Sequence, residues 1–217
     1  MKLVLTATFF VALACTFQSE SPKYTPKTQQ VAQKDLSGYT KAYFASGCFW
    51  CVEAIYESVE GVAEAISGYQ GGHVDNPTYE LLGTGTTGHA EAVEVYYDPE
   101  VVSYKTLVKV FFGSHDPTTL NRQGPDRGTQ YRSAIFYQNE KEKAIVDAYI
   151  VLLIEDEIFD GEITTEVAPY NTFWPAEKYH QNYEVRNPNN PYVRSVSIPR
   201  LNKFKSAFPE LLKKEKH

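Results

Sequence analysis

Methionine is nearly absent from this chain of 217 residues; the one present is the initiator. Little thioether is therefore open to oxidation, which suits a protein exposed to oxidants. Cysteine is almost as scarce. Three residues are too few for a disulfide-stapled scaffold, and a chain of this length does not need one. Nor do they make a zinc pattern, because the single C-x-x-C pair is followed by no second pair and no H-x₃-H spacing. Positive charge is not in excess. The 21 Lys and Arg stand against 27 Asp and Glu, and a net charge of −6 offers no attraction to nucleic acid or to an anionic membrane surface. No glycine-rich loop joins a strand to a helix, so no nucleotide is indicated. Internal repeats are missing too. The only long apolar run, residues 3–14, is about half of the ~20 needed to span a bilayer. No cofactor, metal or nucleic acid is expected, and the expected state is a monomer.

That run nevertheless reads as a targeting segment. Lys2 supplies a positive start, and Ala12-Leu13-Ala14 is a small-x-small cleavage pattern. Residues 1–14 are expected to be a signal peptide, which places the protein in a bacterial cell envelope or periplasm. Cys15 follows a loose lipobox and is either the lipidated first residue of the mature chain or incidental to a simple cleavage. Residues 15–39 are polar, with Pro22 and Pro26, and read as a tether. The catalytic domain is expected over 40–217.

Within it, residues 42–45 read as a strand. Val52, Ile55, Tyr56 and Val59 then mark one face of a helix. Cys48 lies at the junction, where unpaired helix N–H groups and the positive end of the dipole favour a thiolate. A single buried cysteine is often just a small hydrophobe, but Cys51 follows three residues later, and the pair points to redox chemistry at Cys48. In the strand 91–97, Val93 and Val95 share a face with Glu91, while Glu94 shares the other. With the valines inward, Glu91 goes to the interior and Glu94 to solvent. A carboxyl on the apolar face is either a functional acid with a raised pKa or a sign of a different register.

Further helices are expected after Ser103 (Leu107, Val110 and Phe111 inward) and after Asn139 (Ile145, Ala148, Tyr149 and Leu152 inward). A long loop spans 113–132, and strands are expected at 132–137 and around Ile163, Thr165 and Val167. A short helix is expected over 177–185, with a last one, bearing Leu201, Phe204 and Phe208, ended by Pro209. The order predicts an α+β fold, a single two-layer sandwich with a mixed sheet.

The stretches GCFWC at 47–51, GYQGG at 68–72, NPTYE at 76–80, TGHAEAVEVYYDP at 87–99, HDPTTLNRQGPDRGTQYRSAI at 115–135 and YHQNY at 179–183 together resemble the A-class peptide-methionine (S)-S-oxide reductases. The resemblance runs from about residue 43 to about 187. It implies that Cys48 is the nucleophile and that Glu91 is the acid toward the sulfoxide oxygen. It also implies that Phe49 and Trp50 hold the methyl group, while Tyr79, Asp126 and Tyr131 orient the oxygen. Many relatives carry Gly where this chain has Cys51, and resolve the sulfenic acid with a cysteine near the C-terminus that this chain lacks. On the resemblance, Cys51 then takes the resolving role through a disulfide with Cys48, and a thioredoxin-family protein reduces it. His89 and His180 lie in these stretches and are expected to be structural. Two other readings of the thiol pair are a metal-trafficking module and a general thiol–disulfide oxidoreductase; neither uses Glu91.

Overall fold

The computed structural model describes residues 35–214. The signal segment, Cys15 and most of the tether lie outside the described residues. The elements are β1 (Thr40–Ser46), α1 (Phe49–Glu57), β2 (Val62–Gln70), α2 (Tyr79–Gly83), β3 (Ala90–Tyr97), α3 (Tyr104–Gly113), β4 (Arg122–Gln123) and β5 (Asp126–Arg127). They continue with β6 (Ser133–Tyr137), α4 (Glu140–Glu155), β7 (Glu166–Pro169), β8 (Trp174–Pro175), α5 (Tyr183–Arg186) and α6 (Ile198–Ala207). One sheet has the order β7-β6-β1-β3-β2-β8, antiparallel except for the β6–β7 pair. The sheet is mixed and the fold is α+β, as the element order predicts.

The inner face of the sheet packs on α1 and α3. Phe44, Val93 and Val95 meet Val52, Ile55 and Tyr56 of α1 and Leu107, Val110 and Phe111 of α3 in one core. These are the helix faces that the 3.6-residue spacing predicts. Ser103 and Asn139 cap α3 and α4 as expected, accepting from the N–H groups of Thr106 (3.1 Å) and Glu142 (3.0 Å).

The other face of the sheet is also covered. Tyr43, Ala92, Ala134 and Phe136 form a second cluster with Phe173, and Tyr170 lies against Tyr43. This corrects the expectation for Glu94, which is buried rather than turned to solvent. Its carboxylate accepts from Tyr43 (2.9 Å), Tyr96 (2.6 Å) and Lys41 (3.0 Å), so its charge is paired where it is desolvated.

Other departures have local causes. On α4, Val146 is buried and Tyr149 and Leu153 pack on the core, whereas Leu152 is exposed. Ala148 faces outward as well. The run from Ala144 to Ile154 is apolar almost all round, so spacing does not select a face. β7 begins only at Glu166. Thr164 instead donates to Pro117 O, and the Thr165 hydroxyl bonds with Ser133. The helix expected over 177–185 shrinks to α5, because Asn182 has a left-handed backbone (φ 53°) that a helix cannot continue through.

The segment before α5 is fixed to the sheet and to α1. The Gln181 side chain bonds both backbone groups of Ser67, at 2.9 Å each. Glu53 of α1, almost fully buried, is hydrogen-bonded to the Ser67 hydroxyl and to Asn182 N–H. Burial pushes its carboxyl up to about 8. A group that binds its proton more tightly folded than unfolded adds stability that is complete below the ordinary value of 4.5 and is lost as pH rises through about 8. The unfolding free energy is expected to fall by a few kcal/mol between about pH 5 and about pH 9, and Glu53→Gln should reduce that slope. Denaturant titrations at both pH values check this.

Candidate active site

The site is built where β1 turns into α1. Gly47 has φ 91°, and a Cβ there would come within 2.6 Å of Gln123, so only glycine fits the turn. It delivers Cys48 to the residue just before α1, with Cys51 one turn further on. Both are buried free thiols, Cys48 at 7% exposure and Cys51 at 1%.

Sheet register brings the acid to the same place. Phe44 pairs with Val93 and Tyr69 with Glu91, so Glu91 lies two residues beyond Val93 on the helix face, level with the end of β1. Glu91 is 1% exposed and accepts from the Phe49 N–H at 2.9 Å. Burial raises its pKa to about 8, aided by the charges of Asp126 and Cys51 and opposed by the Phe49 hydrogen bond. At neutral pH it is mostly protonated.

The electrostatics act differently on the two thiols. Burial, hydrogen bonding with Cys51 and the Glu91 charge push the Cys48 thiol well above its ordinary value. The hydrogen bond with Cys48 pulls Cys51 down to about 6; the Arg200 charge, Ser197 and Tyr192 assist, and burial opposes. The two thiols titrate as a pair, with burial opposing charge at Cys48 and the hydrogen bond between them favouring it at Cys51. The advantage of a helix start is outweighed at Cys48 because its sulfur is desolvated beside another acid.

The remaining residues expected in the site do converge on it. Tyr79 and Tyr131 are half-buried, and the charges of Glu91, Cys48 and Asp126 all act on both hydroxyls. Asp126, at the end of the β4–β5 hairpin, accepts from the Tyr192 hydroxyl at 2.5 Å. Burial raises the Asp126 carboxyl, against that hydrogen bond and the Arg200 charge. Phe49 is buried against Tyr69, Tyr79 and His180. Trp50 stacks on Tyr183 with ring centres 3.7 Å apart and donates through Nε1 to His180 Nδ1 at 3.1 Å. His180 thus supports the aromatic wall. His89 is structural, with Nδ1 accepting from Gly72 N–H and Nε2 bonding to Val74 O.

Sequence reasoning missed Tyr183, Tyr192, Ser197 and Arg200. Tyr183 closes the YHQNY stretch, which was a signal. Tyr192, Ser197 and Arg200 follow an Asn- and Pro-rich loop and carry no periodic or motif signal. They line, or lie beside, a second opening. A cavity of about 630 Å³ reaches Cys51, bounded by His115, Asp126, Tyr192, Arg200 and Phe204. Among the described residues no group of three or more His, Cys, Asp or Glu could hold a metal ion.

Comparison with known proteins gives a consistent result. The family model described as peptide methionine sulfoxide reductase matches residues 40–212. The chain is 48% identical over 172 residues to peptide methionine sulfoxide reductase MsrA of Thermus thermophilus, covering 79% of this chain and 97% of that one. It is 49% identical over 173 residues to MsrA of Acinetobacter baumannii, covering 80% and 98%. Methionine sulfoxide reductase A of Corynebacterium diphtheriae has a similar structure, with a TM-score of 0.63 and 38% identity over 70% of this chain and 76% of that one. The reduced form of Mxr1 from Saccharomyces cerevisiae gives 0.64 and 31%, over 74% and 92%.

Proposed function

The chain belongs to the peptide methionine sulfoxide reductase family, and from that premise we infer that it reduces methionine sulfoxide to methionine with Cys48 as nucleophile, Glu91 as acid and Cys51 as resolving thiol. The observation that carries this reading is the buried Glu91 carboxyl, held by the Phe49 N–H at the helix start that bears the buried Cys48 and Cys51 and raised by burial to about 8.

A sulfoxide sulfur is a poor electrophile until its oxygen is protonated. Glu91 gives its proton to the oxygen as the Cys48 sulfur adds, and Cys51 accepts the Cys48 proton. Tyr79 and Tyr131 donate toward the polarised oxygen, while Phe49 and Trp50 enclose the methyl group. The S–O bond breaks, methionine leaves and Cys48 carries the sulfenic acid. Cys51 then attacks the Cys48 sulfur, forming a disulfide and releasing water. A thioredoxin-type dithiol closes the cycle. The S epimer is the proposed substrate, in keeping with one enzyme per epimer. The acid, the tyrosines and the aromatic wall favour this reading over metal trafficking or general thiol–disulfide exchange, neither of which needs them. The N-terminal pattern supports export and a lipid tether at Cys15. Loss of membrane partitioning in Cys15→Ser tests the tether, and partitioning that persists opposes it.

Two results are expected. Cys51→Ser should still form about one methionine per protein but lose thioredoxin-dependent cycling by roughly 10²-fold or more; undiminished cycling would remove Cys51 from the resolving role. The pH profile of kcat/KM should rise as the thiol pair loses its first proton near 6 and fall as Glu91 loses its proton near 8. A rate still climbing beyond pH 9 would contradict Glu91 as the acid.

A further inference from the structure

Once the disulfide has formed, the incoming reductant can attack either sulfur, and the two are not equivalent. Both are buried, and Cys51 lines the cavity that Arg200 also lines. It also faces the C-terminal segment, a setting suited to an anion. Arg200 of α6 reaches back to this point, its Nε donating to Ser114 O at 2.8 Å and its Nη2 to Ser46 Oγ at 3.2 Å. None of the ion pairs among the described residues includes Arg200. Its charge acts on Cys51 and on the Asp126 carboxyl, which line the same cavity. Ser197 is fully buried and bonded to Glu184, whose carboxyl is raised by burial. The Ser197 hydroxyl donates to the Glu184 carboxyl.

We propose that the reductant attacks the Cys48 sulfur and that Cys51 departs as a thiolate into the cradle of Ser197 and Arg200. Arg200 is a positioning residue for the leaving group. The step balances. The reductant thiolate bonds to Cys48, the Cys48–Cys51 bond breaks, and its electron pair stays on Cys51. The second thiol of the reductant then attacks its own sulfur in the mixed disulfide. That releases oxidised reductant, and its proton goes to Cys48. A leaving thiol of low pKa departs faster, which agrees with the depressed Cys51 value. The substrate and the reductant thus use the same sulfur in turn.

This inference rests on Cys51 being the resolving thiol, and the experiment separates the two. The full-length protein is oxidised with methionine sulfoxide and mapped for the Cys48–Cys51 disulfide. It is then treated with a thioredoxin whose second active-site cysteine is replaced by serine, and the trapped mixed disulfide is mapped. The expected bond is to Cys48, with Cys51 alkylatable. A bond to Cys51 would overturn the inference and bring the reductant in through the cavity behind it. Absence of the first disulfide would overturn the resolving role, and this inference with it. Arg200→Gln should slow reductant exchange about tenfold and shift the alkylation profile of Cys51 to higher pH, with Arg200→Lys restoring both. Exchange and alkylation like the parent's in Arg200→Gln would remove Arg200 from the cradle.

Discussion

Cys48→Ser is expected to abolish methionine sulfoxide reduction, by a factor on the order of 10⁴ or more. A hydroxyl is nearly isosteric with the thiol but does not ionise in this environment, and oxygen is a weak nucleophile toward sulfur. Nothing nearby substitutes for it. Cys51 is one helical turn away, at 1% exposure, in reach of Ser197 and Arg200. The fold should survive, because Cys48 holds its place through its backbone: its carbonyl accepts from the N–H groups of Cys51 and Val52. Folding is checked by circular dichroism and thermal unfolding, and activity by methionine release. A folded variant that still turns over would refute the nucleophile assignment.

Glu91→Gln is expected to lower kcat/KM by roughly 10²- to 10⁴-fold, the range for losing a positioned acid. Glutamine keeps the volume and the acceptor for the Phe49 N–H, so packing is little disturbed. It has no proton to transfer, and the sulfoxide oxygen would be helped only by hydrogen bonds from Tyr79 and Tyr131. The variant also separates acid chemistry from position. Its residual activity should no longer fall through pH 8, because the group that titrates there is gone. Stability should hold, and improve above pH 8, since the parent must ionise a buried carboxyl at that pH. Unchanged kcat/KM would assign proton delivery to another group.

Much of the site was legible because strand chemistry is periodic. Glu91 stands out in β3 as one acid on a face otherwise made of Val93, Val95 and Tyr97, and the structure places it on that face. The motifs that carry Cys48, Tyr79, Asp126 and Tyr131 were equally readable, and the fold brings them together. Glu94 was not readable. Its burial depends on Phe173 and Tyr170, whose loop returns to the sheet over seventy residues later, and on the cross-strand reach of Tyr43. The face of α4 could not be chosen from a nearly uniform apolar run.

The least legible feature is the division of labour between the thiols. Local sequence puts Cys48 at a helix start and favours its thiolate. Burial opposes that thiolate, the hydrogen bond between the thiols favours charge on Cys51, and the long-range arrival of Arg200 and Ser197 adds to it. Those two residues belong to an irregular turn and the start of α6, where polar side chains read as a solvated surface. The pKa of a thiol is set by every charge and hydroxyl that folding brings near it.

The central claim, sulfoxide reduction at Cys48 completed by Cys51, is tested most directly by one turnover with resolved epimers. Full-length reduced protein is mixed with a single equivalent of the S or the R sulfoxide, quenched by alkylation and mapped by mass spectrometry. With the S epimer the account predicts about one methionine per protein, a Cys48–Cys51 disulfide and no oxygen retained on either sulfur; the R epimer should leave both thiols alkylated. A lasting sulfenic acid on Cys48 with Cys51 still free, or equal reaction with both epimers, would contradict it.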